Sequence, residues 1–517
     1  MNRRLNLIVL LLLTIFSATA RQTVYNITDF GAKGDGKTNN TKAINAAVEA
    51  ASKNGGGTVF FPSGNFLSYT IRLKSHITLH LDQGAVLIGD QEKNGVGYDL
   101  PEADAWYKKF QDFGHSYWRN SLIYGDSLRD IAIEGHGLIW GKGLYTYDKP
   151  DIKGSGNKAI GLKNCFNVTI RDVSILHGGH FCILTTGVDN LTIDNVRADA
   201  DRDAFDIDCC KNVRISNCNI NSPTDDGLCL KSSFGLGYAK ATENVTIVNC
   251  HVYGYDHGTL MDGTFKTEFK DEAPDAKHSI TGRLKLGTES NGGFKNIAVS
   301  NCVFEHSRGI CIESADGGII EDVVIDNITM RDITDTPFFI RLNARMRGPE
   351  GTAVGVCKRI TLSNINVYDV GGRPKFPEVG AGMVMGIPGY YIEDVTLSNI
   401  RIYYRAGAGK DAIGKEVAEN TDMYPDPYRW HSLPAYGMYF RHVKGLHVND
   451  VVLRYINRDE RPAFVLDDVH NARFTNVDAQ KGEGSPQFIL KNVTNFSAHD
   501  VSGMEDMNMQ NVEIQDL

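Results

Sequence analysis

From Asn167 onward, short runs of the form polar, aliphatic, any residue, aliphatic recur along the chain. They include Asn167-Val168-Thr169-Ile170, Asn190-Leu191-Thr192-Ile193, Asn212-Val213-Arg214-Ile215 and Asn244-Val245-Thr246-Ile247, and they continue from Asn296, Asp322, Arg359, Asp394 and Gly445. Successive starts lie 23, 22, 32, 52, 26, 37, 35 and 51 residues apart. A minimum near 22 with longer gaps predicts one solenoid coil per repeat, some coils carrying inserted loops. Alternation within each strand leaves one apolar row per coil, which only stacking on the next coil can bury. No unit contains an apolar 3.6-residue pattern long enough for two helices, which excludes most helical repeats. Leucine-rich repeats share the period but want Leu where this chain has Ile and Val beside Asn and Thr, so the predicted fold is all-β, a single-stranded parallel β-helix.

The ends and loops follow from the same pattern. A solenoid end exposes an apolar core and an unpaired edge, and Asn40 to Lys53 predicts a capping helix with Ala43, Ile44, Ala47, Val48 and Ala51 on one face, an Asn cap and Gly55 past its end. The recurring Asn195, Asn217, Asn249, Asn301, Asn327 and Asn399 predict an internal amide ladder from coil to coil. Loop insertions are expected near residues 264–281 and 405–435, long enough to wall a groove. Residues 21–517 read as one domain.

Composition narrows the class. The 517 residues carry 54 Lys+Arg against 63 Asp+Glu, a net charge of −9, with 42% hydrophobic residues, which excludes disorder and argues against a nucleic-acid partner. Arg3 and Arg4, the apolar run Leu7 to Leu13 and the small residues Ala18, Thr19 and Ala20 predict a cleavable signal peptide over residues 1–20 and a secreted or periplasmic product. No stretch is long enough for a membrane helix, so no membrane partner is expected. Among ten Cys, Cys165, Cys218, Cys250 and Cys302 each follow an Asn at one repeat position, a pattern of stacked buried thiols rather than disulfides.

The carboxylates fall on one stripe. Asp203, Asp225 and His257 each lie 13 residues past their coil starts Asn190, Asn212 and Asn244, with Asp206 and Asp226 close by. Equal offsets in stacked coils are about 4.8 Å apart per coil, so these groups should share a face. Acids that close cannot all stay ionised cheaply, and at least one pKa should rise, as a general acid near neutral pH requires. The same stripe also admits a solvated Asp ladder or a bound Ca²⁺.

The segment Asp201-Arg202-Asp203-Ala204-Phe205-Asp206, followed by Thr224-Asp225-Asp226-Gly227-Leu228-Cys229-Leu230-Lys231, resembles the family-28 glycoside hydrolases, the polygalacturonases and rhamnogalacturonan hydrolases. The opening Asp29-Phe30-Gly31-Ala32-Lys33-Gly34-Asp35-Gly36 and the Gly55 to Pro62 run look like the wider pectinase-type β-helix group. The resemblance implies a right-handed helix and inverting hydrolysis of α-linked galacturonic acid bonds in pectic poly- or oligosaccharides. It implies Asp225 as acid, Asp203 and Asp226 positioning water, and His257 tuning the proton relay. The family's Asn-Thr-Asp stands here as Asp201-Arg202-Asp203, and its Gly-His-Gly as Asp256-His257-Gly258. Its Arg-Ile-Lys, which binds the substrate carboxylate, matches Arg283-Leu284-Lys285; a second register would instead put Gly309-Ile310-Cys311-Ile312-Glu313 there. Arg341, Arg345 and Arg347 read as solvated surface.

Trp106, Tyr107, Tyr117 and Trp118, with Tyr424, Tyr428 and Trp430, read first as core packing, and as closure of a groove for exo action if both groups border it. The rival readings are a β-helix polysaccharide lyase, which wants a cationic base, and a non-catalytic carbohydrate-binding β-helix. No redox cofactor or catalytic metal is expected, and the chain reads as a monomer.

Overall fold

The computed structural model describes residues 23–103, 105–111, 115–150, 154–267, 280–371, 380–430 and 433–517. The expected signal segment 1–20 and most of the 264–281 insertion lie outside them. Apart from one capping helix, short helical turns and the last strand, the described residues form a stack of parallel coils. Three strands make up a coil in the first half: Asp203–Asp208, Lys211–Ser216 and Asn219–Asn221 pair with Leu228–Ser232, Thr242–Val248 and His251–Tyr253 of the next. Further along, the second and third strands merge into single long strands such as Ile319–Ile333 and Val356–Val370.

In-register stacking solves the burial problem posed by the repeat. Val168, Leu191, Val213, Val245, Ile297, Val323, Ile360, Val395 and Leu446 form one continuous inward row, each buried. The row runs on through Ala472 and Phe496, two coils beyond the last start visible in the sequence. It ends where Met507–Asp516 folds back antiparallel on Phe488–Val501.

The asparagines sit elsewhere than expected. Asn217, Asn249, Asn301, Asn327 and Asn399 do bond along the stack, with Nδ2 of Asn249 donating to Asn217, of Asn327 to Asn301 and of Asn399 to Asn364, but they are exposed at a corner rather than internal. A second ladder joins Asn167, Asn190, Asn212, Asn244 and Asn296 at 2.9–3.0 Å. Members of both ladders have φ between +50° and +57°. The coil turns through the left-handed region at each corner, Asn tolerates it best among non-glycine residues, and the turn throws the amide outward. The ten cysteines are buried thiols with no disulfide among them, and Sγ of Cys165, Cys218, Cys250 and Cys302 each donates to the carbonyl two residues back.

The capping helix spans Thr41–Lys53 and buries Ile44, Ala47, Val48 and Ala51 on the first coil. Asn40 makes no side-chain cap; its amide instead accepts from Lys33 N and donates to Thr38 O, pinning the preceding loop. Among the described residues no helix is long and apolar enough to cross a membrane.

Candidate active site

One sheet carries Asp203–Asp208, Leu228–Ser232 and Leu284–Ser290 side by side, with Asp206 opposite Cys229 and Cys229 opposite Lys285. This register seats Arg283-Leu284-Lys285 on the coil directly after Asp225-Asp226, and Gly309 to Glu313 one coil further on. The outward face of this sheet would normally meet solvent. Here two segments fold over it. From one side Trp118 packs on Phe181 and Leu184 and donates its indole N–H to Thr186; from the other Trp430 and Leu433 cover Cys311, Phe339, Met383 and Tyr439. The acids lie between these covers.

An oxygen from each of Asp203, Asp225 and Asp226 comes within 4.8 Å of the others. The Asp226 N–H donates to Asp203 Oδ1 at 3.1 Å and to Asp225 Oδ1 at 3.0 Å, so the backbone itself sets the spacing. His115, Asp203 and Asp206 converge equally closely. Such spacing would admit a divalent cation, but Arg202, Lys231, Arg283 and Lys285 already supply positive charge to these oxygens.

The partners divide the acids electrostatically. Burial would raise the Asp226 carboxyl, yet Arg283 Nε at 2.5 Å and Lys285 Nζ at 3.4 Å, with Lys231, outweigh it and hold Asp226 well below the usual carboxylate range. Asp203 goes the other way. Burial, then Asp225 and Asp206, push it well above that range against the pull of Arg202 and Lys231. Burial likewise lifts Asp206 to about 7, although Lys231 Nζ stands 3.6 Å away. Ionised and protonated carboxyls thus coexist in one cluster, which is what acid and base chemistry on a single bond needs.

The raised Asp206 has a measurable cost. Its proton is held more tightly in the folded chain than in the unfolded one, so its contribution to the free energy of unfolding declines as pH rises from 3.8 to about 7. Urea unfolding of Asp206→Asn at pH 5 and pH 8 should therefore show a flatter pH dependence than the parent protein; an unchanged slope would mean that Asp206 ionises freely.

His257 has Asp199, Asp201, His177 and Asp256 among its charged neighbours. Loss of solvent about its ring outweighs the pull of Asp201 and Asp199 and lowers its pKa. Its turn is tied to the sheet two coils earlier because Asp199 accepts the N–H groups of Gly258, Leu260 and Met261. Asp201 in turn holds His177 Nδ1 at 2.6 Å.

Several groups of the site carried little or no sequence signal. The late insertion delivers Tyr424, whose hydroxyl is 2.9 Å from Lys285 Nζ, and Asp426, which bonds Arg283 and Arg308. His115 arrives from the opposite cover and lies 3.9 Å from Glu289, which also pairs with Lys231. Arg341 and Arg345 are not the solvated surface expected of them: Arg341 is fully buried and donates to backbone carbonyls of the insertion, and Arg345 pairs with Asp316 and Glu289. A repeat pattern carries no information about which distant loop will close over it.

The sequence has measurable relatives. A family model described as "Rhamnogalacturonase A/epimerase, pectate lyase-like" matches residues 24–98, and one for a right-handed β-helix region matches 131–272. The chain is 27% identical to a "Probable polygalacturonase" of Vitis vinifera over 68% of its own length and 76% of the relative's. It is 26% identical to an "Exo-poly-alpha-D-galacturonosidase" of Dickeya chrysanthemi over 61% of its own length, spanning about half, 52%, of that protein. In fold it is similar to an exopolygalacturonase from Thermotoga maritima, with a TM-score of 0.57, 20% identity and coverage of 74% and 87% of the two chains. It is also similar to a family-28 exopolygalacturonase of Yersinia enterocolitica, with a TM-score of 0.55, 16% identity and coverage of 92% and 78%. The β-helix, the acid cluster on one of its sheets and these relatives together make the chain similar to the polygalacturonase-type glycoside hydrolases.

Proposed function

We propose that this hydrolase cleaves α-linked galacturonic acid bonds in pectic poly- or oligosaccharides and works from a chain end. The observation that supports it most is the split acid cluster, with Asp226 kept ionised beside an Asp203 that resists ionisation. In this reading Asp225, the most accessible of the three, donates the proton to the leaving oxygen, and Asp203 and Asp226 orient the attacking water. His257 acts through Asp201 on the same proton relay. Arg283 and Lys285, which hold Asp226 ionised, also offer donors to a substrate carboxylate. The relatives named for galacturonan cleavage support the substrate class, and the covers at either side of the acids support end-on attack. Export through the segment at residues 1–20 and action as a monomer complete the proposal.

Oligogalacturonides of defined length test it directly. Release of a single short product from the first minutes onward is expected; an early mixture of sizes would remove the exo reading, and a product absorbing in the near ultraviolet would replace hydrolysis by elimination. The anomer adds a stricter check. The carboxylate oxygens lie closer together than the roughly 6.5–9.5 Å usual for inversion, so proton NMR of the nascent product, expected to be the β anomer, decides the stereochemical course.

A further inference from the structure

Where the family's signature carries Thr, this chain carries Arg202, and the structure builds an apparatus around it. Its Nε lies 2.9 Å from Asp225 in an ion pair, and its Nη2 lies 3.6 Å from Asp203. Its Nη1 is 2.6 Å from His180 Nε2, and the guanidinium lies 5.5 Å from the Phe181 ring. His180 Nδ1 lies 2.6 Å from the Thr146 carbonyl, so that nitrogen carries the proton and Nε2 presents a lone pair to Arg202. Burial and the charges of Arg202 and Lys158 keep the imidazole neutral. The backbone is pinned as well, because the hydroxyls of Ser222 and Thr224 donate to the carbonyls of Arg202 and Asp201.

Accessibility decides what the apparatus is for. The Asp203 and Asp226 side chains are 1% and 2% exposed, whereas Arg202 and Asp225 are 17% and 28% exposed. An entering sugar therefore meets the Arg202–Asp225 pair first. Among the described residues the guanidinium pairs closely with Asp225 through Nε and with His180 through Nη1, and only loosely, at 3.6 Å, with Asp203 through Nη2, the group best placed to bond a planar anion. We propose that Arg202 is the receptor for the carboxylate of the uronic acid whose bond is cut, so that the charged sugar is seated directly beside Asp225. The other charged groups facing the pair are Asp203, Asp206, Asp226 and Lys231 on the sheet, Lys158 and the neutral His180 on earlier coils, Tyr147 on the adjoining loop, His115 on the cover, and Arg283 and Lys285 beyond Asp226. Of these, Arg283 and Lys285 also favour a charged sugar, and their share is the same in the parent and in the Arg202 variants.

The inference rests on the galacturonide reading and deepens it. Its test compares trigalacturonide with its fully methyl-esterified form, in the parent enzyme and in Arg202→Thr and Arg202→Lys. Esterification should lower kcat/KM by about 100-fold in the parent and by less than about 10-fold in Arg202→Thr, the portion owed to Arg283 and Lys285 being common to both. Arg202→Lys should fall between them. A parent-like ratio in Arg202→Thr overturns the proposal, and should that variant not fold, a parent-like ratio in Arg202→Lys does so. A parent enzyme that cleaves neither substrate overturns the galacturonide reading itself, and this inference with it.

Discussion

Asp225→Asn should lower kcat on trigalacturonide by about 1,000-fold, the range expected when a general acid is removed, with KM within a few-fold of the parent value. The amide keeps the size of the carboxyl and still offers an oxygen to the Arg202 guanidinium, so the ion pair becomes a contact between a cation and a neutral acceptor without moving the coil. What it lacks is an acidic proton for the leaving oxygen. A loss confined to kcat is the mark of an interaction made in the transition state rather than in binding. Reducing-end release gives the rate, and calorimetric titration of the inactive variant gives the affinity. Turnover within tenfold of the parent would take the proton-donor role away from Asp225 and point to Asp203, the carboxyl that burial leaves protonated.

The sequence made the coil legible because stacking is a local rule repeated: an Ile or Val two places on from another buries the same row in every turn. It made the acids legible because equal offsets become equal heights on one face. Both signals failed where the deciding contact was not periodic. Tyr424 and Asp426 reach Lys285 and Arg283 across 139 and 143 residues of chain, and nothing in the insertion's own composition says where it will land. The asparagine ladder was legible as a ladder but not as an exterior one, because its side depends on a left-handed backbone turn that side-chain alternation does not report. His257 matched its offset and still settled beside Asp199, Asp201 and His177, since its turn is drawn to the Asp199 carboxylate. Arg202 was visible as a departure from a motif, and only its neighbours gave that departure a meaning.

Arg283→Met should be the most destabilising single change in the site, at about 3–5 kcal/mol, the cost typical of breaking one side of a buried ion pair. Arg283 is the hub of a closed set: Asp226 at 2.5 Å, Asp426 at 3.5 Å, and through Asp426 the Arg308 guanidinium. Without it Asp226 keeps only Lys285 close by and Asp426 keeps Arg308, in a place where water cannot make up the difference. Asp426 is held at about 2, because Arg308, Arg283 and Lys285 outweigh the burial that would raise it, and Asp226 lies below the usual range for the same kind of reason. Depressed carboxyls stabilise the fold above their unfolded value near 3.8 and lose that contribution as pH falls toward the folded one. The gap between parent and variant, measured by urea unfolding, should therefore be full at pH 7 and narrow below about pH 4. Adding Asp226→Asn to Arg283→Met should recover part of the loss, since it removes the stranded charge rather than a contact. A single variant within 1 kcal/mol of the parent at pH 7 would show that these charges are solvated in solution, and the electrostatic division of the acids would fall with it.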